Sequence, residues 1–152
     1  MPRIFVTNDD GVHAPGLLAL VQAMREIGDV FVAAPSVNQS ASGHKKTLYS
    51  DIPVAKTTLA DGTPALSVGG SPADCIALLA QNILEPWPPD IVVSGINRGA
   101  NMGQDVTYSG TVTAALEAVI NGCPAVAVSL DKRDADLVED YAVAARTAVE
   151  VV

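Results

Sequence analysis

An adjacent pair of carboxylates, Asp9-Asp10, follows the apolar run Ile4-Phe5-Val6 and precedes Gly11. Two acidic side chains leaving a buried segment repel each other, and neither has a basic neighbour in sequence. A bound divalent cation would offset both charges. Gly11 would let the backbone turn so that both side chains reach one side. A helix N-cap or a solvated turn is the competing reading. Ser40, within Asn38-Gln39-Ser40-Ala41-Ser42-Gly43, and Asn97, within Ser94-Gly95-Ile96-Asn97-Arg98-Gly99, could complete an oxygen-only donor set. Oxygen donors favour Mg²⁺, Mn²⁺ or Ca²⁺ over zinc. Taken alone, Ser40 is equally a turn residue, and Asn97 equally a residue that holds its own loop.

A second group of residues points to phosphate. Gly95, Gly99 and Gly103 recur at intervals of four but match neither the dinucleotide fingerprint nor the P-loop. Tyr108-Ser109-Gly110-Thr111 opens a helix, whose free N–H groups and dipole would suit an anion. Plain N-capping by Ser109 is the competing reading. His13 and His44 are the only histidines, and neither accompanies a nucleophile-elbow motif, which disfavours a serine hydrolase. His44 is a candidate for proton transfer or phosphate contact, or else a surface residue. Lys45 and Lys46 read as a solvated pair.

These clusters need elements to carry them. Arg3–Thr7 reads as a buried strand, followed by a polar turn and a helix opening at Pro15 with Leu17, Leu20, Val21 and Met24 on one face. Gly28 stops that helix before a strand at Val30–Ala33. Val54–Thr58 and Ala65–Val68 look extended, with Asp61-Gly62 turning between them. Ser71 caps a helix with Pro72 at its first position, running to about Leu84. A strand at Asp90–Ser94, a glycine loop from Gly95 to about Tyr108, a helix over Ser109–Asn121 and a strand at Ala125–Ser129 follow. Asp134 is the expected cap of a last helix. Alternating strands and helices imply a mostly parallel, doubly wound sheet covered on both faces. Ligands of such sheets gather outside the carboxyl ends of the strands. The three polar clusters would share that rim.

Composition bounds the rest. The chain has 152 residues, 49% hydrophobic and 17% charged, which excludes a disordered segment and fits one domain. Aromatics are 4%, so Ala, Val, Leu and Ile must build the core. Nine basic against 17 acidic residues give a net charge of −8, the wrong sign for a surface that binds duplex nucleic acid. Cys75 and Cys123 lack zinc-type spacing and read as reduced, buried small hydrophobes. No apolar run is long enough to span a membrane, and the first one is too short for a signal peptide. The expectation is a cytoplasmic enzyme.

The segments Ile4 to Leu17, Ala34-Pro35 with Asn38 to His44, Gly70 to Cys75, Asp90 to Asn97, Tyr108 to Val112 and Ala125 to Ser129 together resemble the SurE survival-protein family of metal-dependent nucleotidases. The resemblance implies a Rossmann-like three-layer fold over residues 1–152, as a single domain. It implies a phosphatase that hydrolyses nucleoside 5′- and 3′-monophosphates, and short polyphosphate in some members. The family's metal ligands fall on Asp9, Asp10, Ser40 and Asn97, with Mg²⁺ or Mn²⁺ as the cation and Ca²⁺ as a further occupant. Its phosphate-binding positions fall near Asn101, Ser109, Gly110 and Thr111, and Asp9 or Asp10 would assist as a base. Family members form homodimers or tetramers and continue past Val152, which implies a C-terminally truncated form and, as one alternative, an inactive metal or nucleotide binder. The other alternative is a receiver-type signalling domain, which also places an acidic pair after its first strand. A receiver needs a phosphate-accepting Asp at a central strand end, where this sequence has Gly69-Gly70 and Ser94-Gly95.

Overall fold

Ile4, Phe5 and Val6 are apolar without interruption, so the first strand must be covered on both faces. The computed structural model, which describes residues 1–152, puts this strand, β1 (Arg3–Thr7), inside a six-stranded sheet. The others are β2 (Asp29–Pro35), β3 (Val54–Thr58), β4 (Pro64–Val68), β5 (Ile91–Arg98) and β6 (Ala125–Leu130). Their spatial order is β3-β4-β2-β1-β5-β6, parallel throughout except for β3, which lies antiparallel on β4.

Alternate residues of β1 feed two cores. Ile4 and Val6 face helices α1 (Pro15–Met24) and α5 (Ala142–Val151), where Leu17, Leu20, Val21, Met24 and Tyr141 are buried. Phe5 faces α2 (Pro72–Ala80) and α4 (Gly110–Ile120), among Ile76, Leu79, Val92, Ala114 and Ala118. A four-residue helix, α3 (Asp105–Tyr108), precedes α4, and a 3-10 turn at Val138–Tyr141 leads into α5. No helix is long and apolar enough to cross a membrane.

The chain leaves β1 toward β2 and β4, then returns through α2 to β5 on the other side of β1. The strand order therefore reverses between β1 and β5, and their carboxyl ends open the crevice where such sheets bind ligands. Asp9 and Asp10 follow β1, and Asn97 lies near the end of β5.

The elements depart from expectation most where tertiary contacts intervene. The helix expected to reach Leu84 ends at Ala80, because Asn82 turns with a φ of 58° and its Oδ1 accepts the Trp87 N–H at 2.7 Å. The glycine loop expected from Gly95 begins later, since β5 continues to Arg98 by slipping its register against β6 between Ser94 and Asn97. Gly95 permits this: its φ is +147°, and a Cβ there would lie 2.4 Å from the Val128 carbonyl oxygen. The loop that follows contains α3, which the sequence reading did not anticipate. Asp134 caps nothing. Asp140 instead accepts the N–H groups of Asp136 and Leu137 at 3.1 and 3.0 Å, and the last helix starts only at Ala142.

Gly16 marks the closest approach of α1 to the sheet. A Cβ there would lie 2.2 Å from the Ile96 carbonyl oxygen and 2.9 Å from Tyr141 Cε1. Gly16→Ala is expected to destabilise by about 1–3 kcal/mol, or roughly 2–4 °C of Tm per kcal/mol in a chain of this size. A thermal melt that coincides with that of the unaltered protein would contradict this seating of α1.

Candidate active site

Asn8 makes the turn that aims the carboxylates. Its fully buried amide donates to the Gly11 carbonyl at 2.9 Å, and its Oδ1 accepts the Gly11 N–H at 3.2 Å. Gly11 adopts a φ of +111°, which other residues rarely tolerate. Asp9 is thereby placed at 3% exposure, against the first turn of α4. Thr111 Oγ1 donates to Asp9 Oδ1 at 2.7 Å. A Cβ on Gly110 would lie 2.8 Å from Asp9 Cβ and 3.0 Å from Ser42 Oγ, so this contact requires glycine. Asp10 is half-buried, and its Oδ2 accepts the Arg98 N–H at 2.9 Å.

Burial pushes the Asp9 carboxyl above the ordinary carboxylate range, the Thr111 hydrogen bond opposes that, and the neighbouring Asp10 charge adds to it. Burial also raises Asp10, against the Arg98 N–H and guanidinium charge that favour its ionised form. No cationic side chain sits on Asp9.

The loops bring further oxygens to the same place. Asp9, Ser40, Asn97, Asn101 and Ser109 line one cleft of about 380 Å³. The Gln39 N–H donates to the Asp9 carbonyl at 2.7 Å, which fastens the Ser40 loop beside the carboxylate. Asn38 Oδ1 accepts from both the N–H and the Oγ of Ser40, at 2.7 and 2.5 Å. Asn97 Nδ2 donates to the Gly99 carbonyl at 2.8 Å, which leaves its Oδ1 for a ligand. Asp9, Ser40 and Asn97 thus bring a carboxylate, a hydroxyl and an amide oxygen to one cleft, whereas Asp10 lines the adjoining one. Oxygens of these types are those that hard divalent cations take.

The phosphate-binding candidates divide into two roles. Ser109 caps α4, its Oγ accepting the Val112 N–H at 3.2 Å, and it also lines the cleft. Its hydroxyl proton remains free to donate, so the capping and binding readings coexist. Asn101 lines the cleft while its Nδ2 donates to Ser129 Oγ at 2.6 Å. Gly110 and Thr111 lie behind Asp9 rather than in the cleft lining, and the Thr111 hydroxyl is committed to the carboxylate. Ser42 Oγ is buried with no hydrogen-bond partner, close to Gly110.

Sequence reasoning passed over several groups here. Arg98 and Arg133 both line the cleft. Arg98 pairs with Asp136 at 2.5 Å, whereas Arg133 makes no ion pair. Arg133 follows β6, and nothing local in the sequence connects it with Asp9. Asn8 could have been found, because an Asn shortly before a glycine is a recognised turn former, and here it bonds Gly11 three residues on. His44 does not reach the cleft: its Nε2 lies 2.5 Å from Glu117 Oε2. Lys46 is not a solvated cation either, since it is ion-paired with the same carboxylate. A second cleft, of about 510 Å³, flanks Asp10 and includes His13, Asn38 and Arg98.

The sequence profile described as "Survival protein SurE" matches residues 4–152. The 5′-nucleotidase SurE of Herpetosiphon aurantiacus is 52% identical over 128 residues, which cover 84% of this chain and 50% of that protein. The 5′-nucleotidase SurE of Geotalea daltonii is 51% identical over 149 residues, covering 98% and 57%. The chain thus spans about half the length of the curated relatives it matches. The crystal structure of SurE protein from Aquifex aeolicus superposes with a TM-score of 0.82 at 39% identity, covering 99% of this chain and 60% of that one. With the same fold over nearly its whole length and half its residues shared with these relatives, the chain belongs to the SurE family.

Proposed function

We propose that the cleft hydrolyses nucleoside 5′-monophosphates to nucleoside and phosphate with the help of one divalent cation. The observation that carries this reading is the buried Asp9 carboxylate at the β1/β5 crevice, sharing one cleft with Ser40, Asn97 and Ser109, with the half-buried Asp10 adjoining it. The name of the relatives, 5′-nucleotidase, supports the substrate class. Activity on 3′-monophosphates and short polyphosphate, and assembly as a homodimer or tetramer, rest on the family resemblance alone and belong to the same proposal.

The residues present fit a cation. Asp9 is buried without a counter-charge, Gly110 leaves its surroundings free of a Cβ, and every donor is an oxygen. Asp9, Asp10, Ser40 and Asn97 would hold it, with Mg²⁺ or Mn²⁺ as the occupant. When bound, it would polarise a phosphoryl oxygen. Ser109 and Asn101 orient the phosphoryl group at the amino end of α4, where the helix dipole favours an anion. Arg98 and Arg133 supply positive charge at the cleft rim. A carboxylate of the Asp9-Asp10 pair takes the proton of the attacking water, whose oxygen bonds to phosphorus as the ester bond breaks. The same carboxyl group returns that proton to the departing nucleoside oxygen, which leaves as a hydroxyl.

The receiver alternative finds no acceptor aspartate: β4 is followed by Gly69-Gly70, and Ser94-Gly95 occupy β5 beside β1. The inactive-binder alternative predicts Mn²⁺ binding without turnover. Phosphate release from a panel of nucleoside monophosphates, with Mn²⁺, with Mg²⁺ and with chelator, separates it from the proposal. Metal-dependent release supports an enzyme, and binding alone supports the alternative.

Two substitutions test the assignment. Asp9→Asn is expected to abolish metal-dependent phosphate release and the Mn²⁺-induced rise in Tm. The metal-free Tm is expected not to fall, because the change removes a buried charge and retains an oxygen for Thr111. A folded Asp9→Asn protein with full activity would rule out the site. Gly110→Ala pushes α4 away from Asp9 and is expected to lower kcat/KM on the order of 100-fold. Steady-state kinetics on a variant that still melts cooperatively would decide this, and unchanged kinetics would contradict the close approach.

A further inference from the structure

Glu117 sits in the middle of α4 and is 2% exposed, beside the buried apolar residues Ala114 and Ala118. A carboxylate in that position is costly unless it is paired. Its partners come from outside the helix. Glu117 Oε2 lies 2.5 Å from His44 Nε2, and Oε1 is ion-paired with Lys46 and accepts Asn121 Nδ2 at 3.1 Å. Burial favours the neutral carboxyl, but the hydrogen bonds from Lys46 and His44 outweigh it and leave Glu117 below its ordinary range.

His44 and Lys46 belong to the segment that carries Ser40. Between Pro35 and Val54 that segment contains no helix or strand, so its shape depends on tethers. Gln39 and Gly43 reach the Asp9 and Tyr108 carbonyls at 2.7 and 3.1 Å. Thr113 Oγ1 donates to the Gly43 carbonyl at 3.0 Å. At the far end, Thr47 donates its N–H and Oγ1 to the Asp74 carboxylate at 2.7 and 2.8 Å. Asp74 also serves the N-terminal cap of α2, but Glu117 makes no capping contact for α4. Its ionic partners are the loop residues.

We infer that Glu117 is a positioning residue: by gripping His44 and Lys46 it holds the Ser40 loop against α4, so that Ser40 stays within reach of Asp9. This rests on the reading of Ser40 as a cation ligand. The same helix then sets two sides of the site, Ser109 and Thr111 at its amino end and the Ser40 loop through Glu117.

Glu117→Gln keeps the shape and removes the charge. Three readouts apply to the whole chain: amide hydrogen exchange over residues 39–47, Mn²⁺ affinity from the free-Mn²⁺ resonance signal, and steady-state kinetics. Exchange should accelerate in that segment alone, and Mn²⁺ should bind about 10-fold more weakly, as when a residue supporting a metal ligand is lost. KM should rise more than kcat falls. Lys46→Gln and His44→Gln, which alter exposed residues, should shift Mn²⁺ affinity in the same direction, and less than additively when combined with Glu117→Gln. Should Glu117→Gln fail to fold, those two variants carry the test. Unchanged Mn²⁺ affinity and loop exchange in the variants, with an unaltered protein that binds Mn²⁺, would overturn the inference alone. Exchange rising evenly along the chain with a lowered Tm would show a merely structural role and overturn it too. An unaltered protein that binds no Mn²⁺ would overturn the reading of Ser40, and this inference with it.

Discussion

The site depends on a carboxylate placed where carboxylates are least welcome. Asp9 is almost wholly buried at the carboxyl end of a central strand, with Asp10 beside it and a single side-chain hydrogen bond from Thr111. Burying an ionised carboxylate costs several kcal/mol in proteins even after relaxation, far more than the roughly 1 kcal/mol a neutral hydrogen bond returns. One hydroxyl therefore does not stabilise the ionised form, and the raised pKa of Asp9 expresses that deficit. The surroundings leave room for compensation from the cleft. Gly110 lacks a Cβ, Asn97 and Ser40 line the same cleft as Asp9, and the amino end of α4 lies beside Asp9.

Much of the architecture follows from meeting that demand. The α4 N-terminus can approach Asp9 only because residue 110 has no side chain, and Ser109 must then cap the helix from inside the cleft. The register slip in β5 brings Asn97 to the rim while Ile96 remains in the core. The Ser40 segment is long and irregular, so its position is set by neighbours: Asn38 and Asp9 at one end, Glu117 and Asp74 at the other. Each contact is modest, but they act on one short stretch of chain and fix it from several directions.

The fold was legible where period and punctuation agree. Apolar strands at Arg3–Thr7 and Ala125–Leu130, proline-opened helices at Pro15 and Pro72, and the Ser109 cap are local signals, and the residues found there match them. Legibility failed where a tertiary contact overrides local preference. Gly95 reads as a loop residue, yet the strand passes through it because β6 packs where a side chain would be. Asp134 has the sequence context of a cap, but it is Asp140 that accepts the Asp136 and Leu137 N–H groups, in a turn that ends on the buried Tyr141. In the site, the donor types near strand ends were readable, since a parallel sheet puts those ends on one rim. Arg133 and the pairing of Glu117 with His44, 73 residues away, and with Lys46 were not, because the partners are distant in sequence and share no periodic signal.

The net charge of −8 opposes capture of an anionic substrate only if distant charges count. At physiological ionic strength the screening length is about 8 Å, so most surface carboxylates are invisible from the cleft. What remains is local. Asp9 and Asp105 in the lining face Arg98 and Arg133, but Arg98 is already paired with Asp136 and Asp10 adjoins, so the local balance is negative. Under the proposed function a divalent cation would offset that charge. A phosphate monoester would then meet attraction only when the site is loaded, with the α4 dipole adding to it. Under the proposed function the acidic pair would therefore also leave the unloaded cleft unattractive to phosphate, so that substrate binding would follow cation binding.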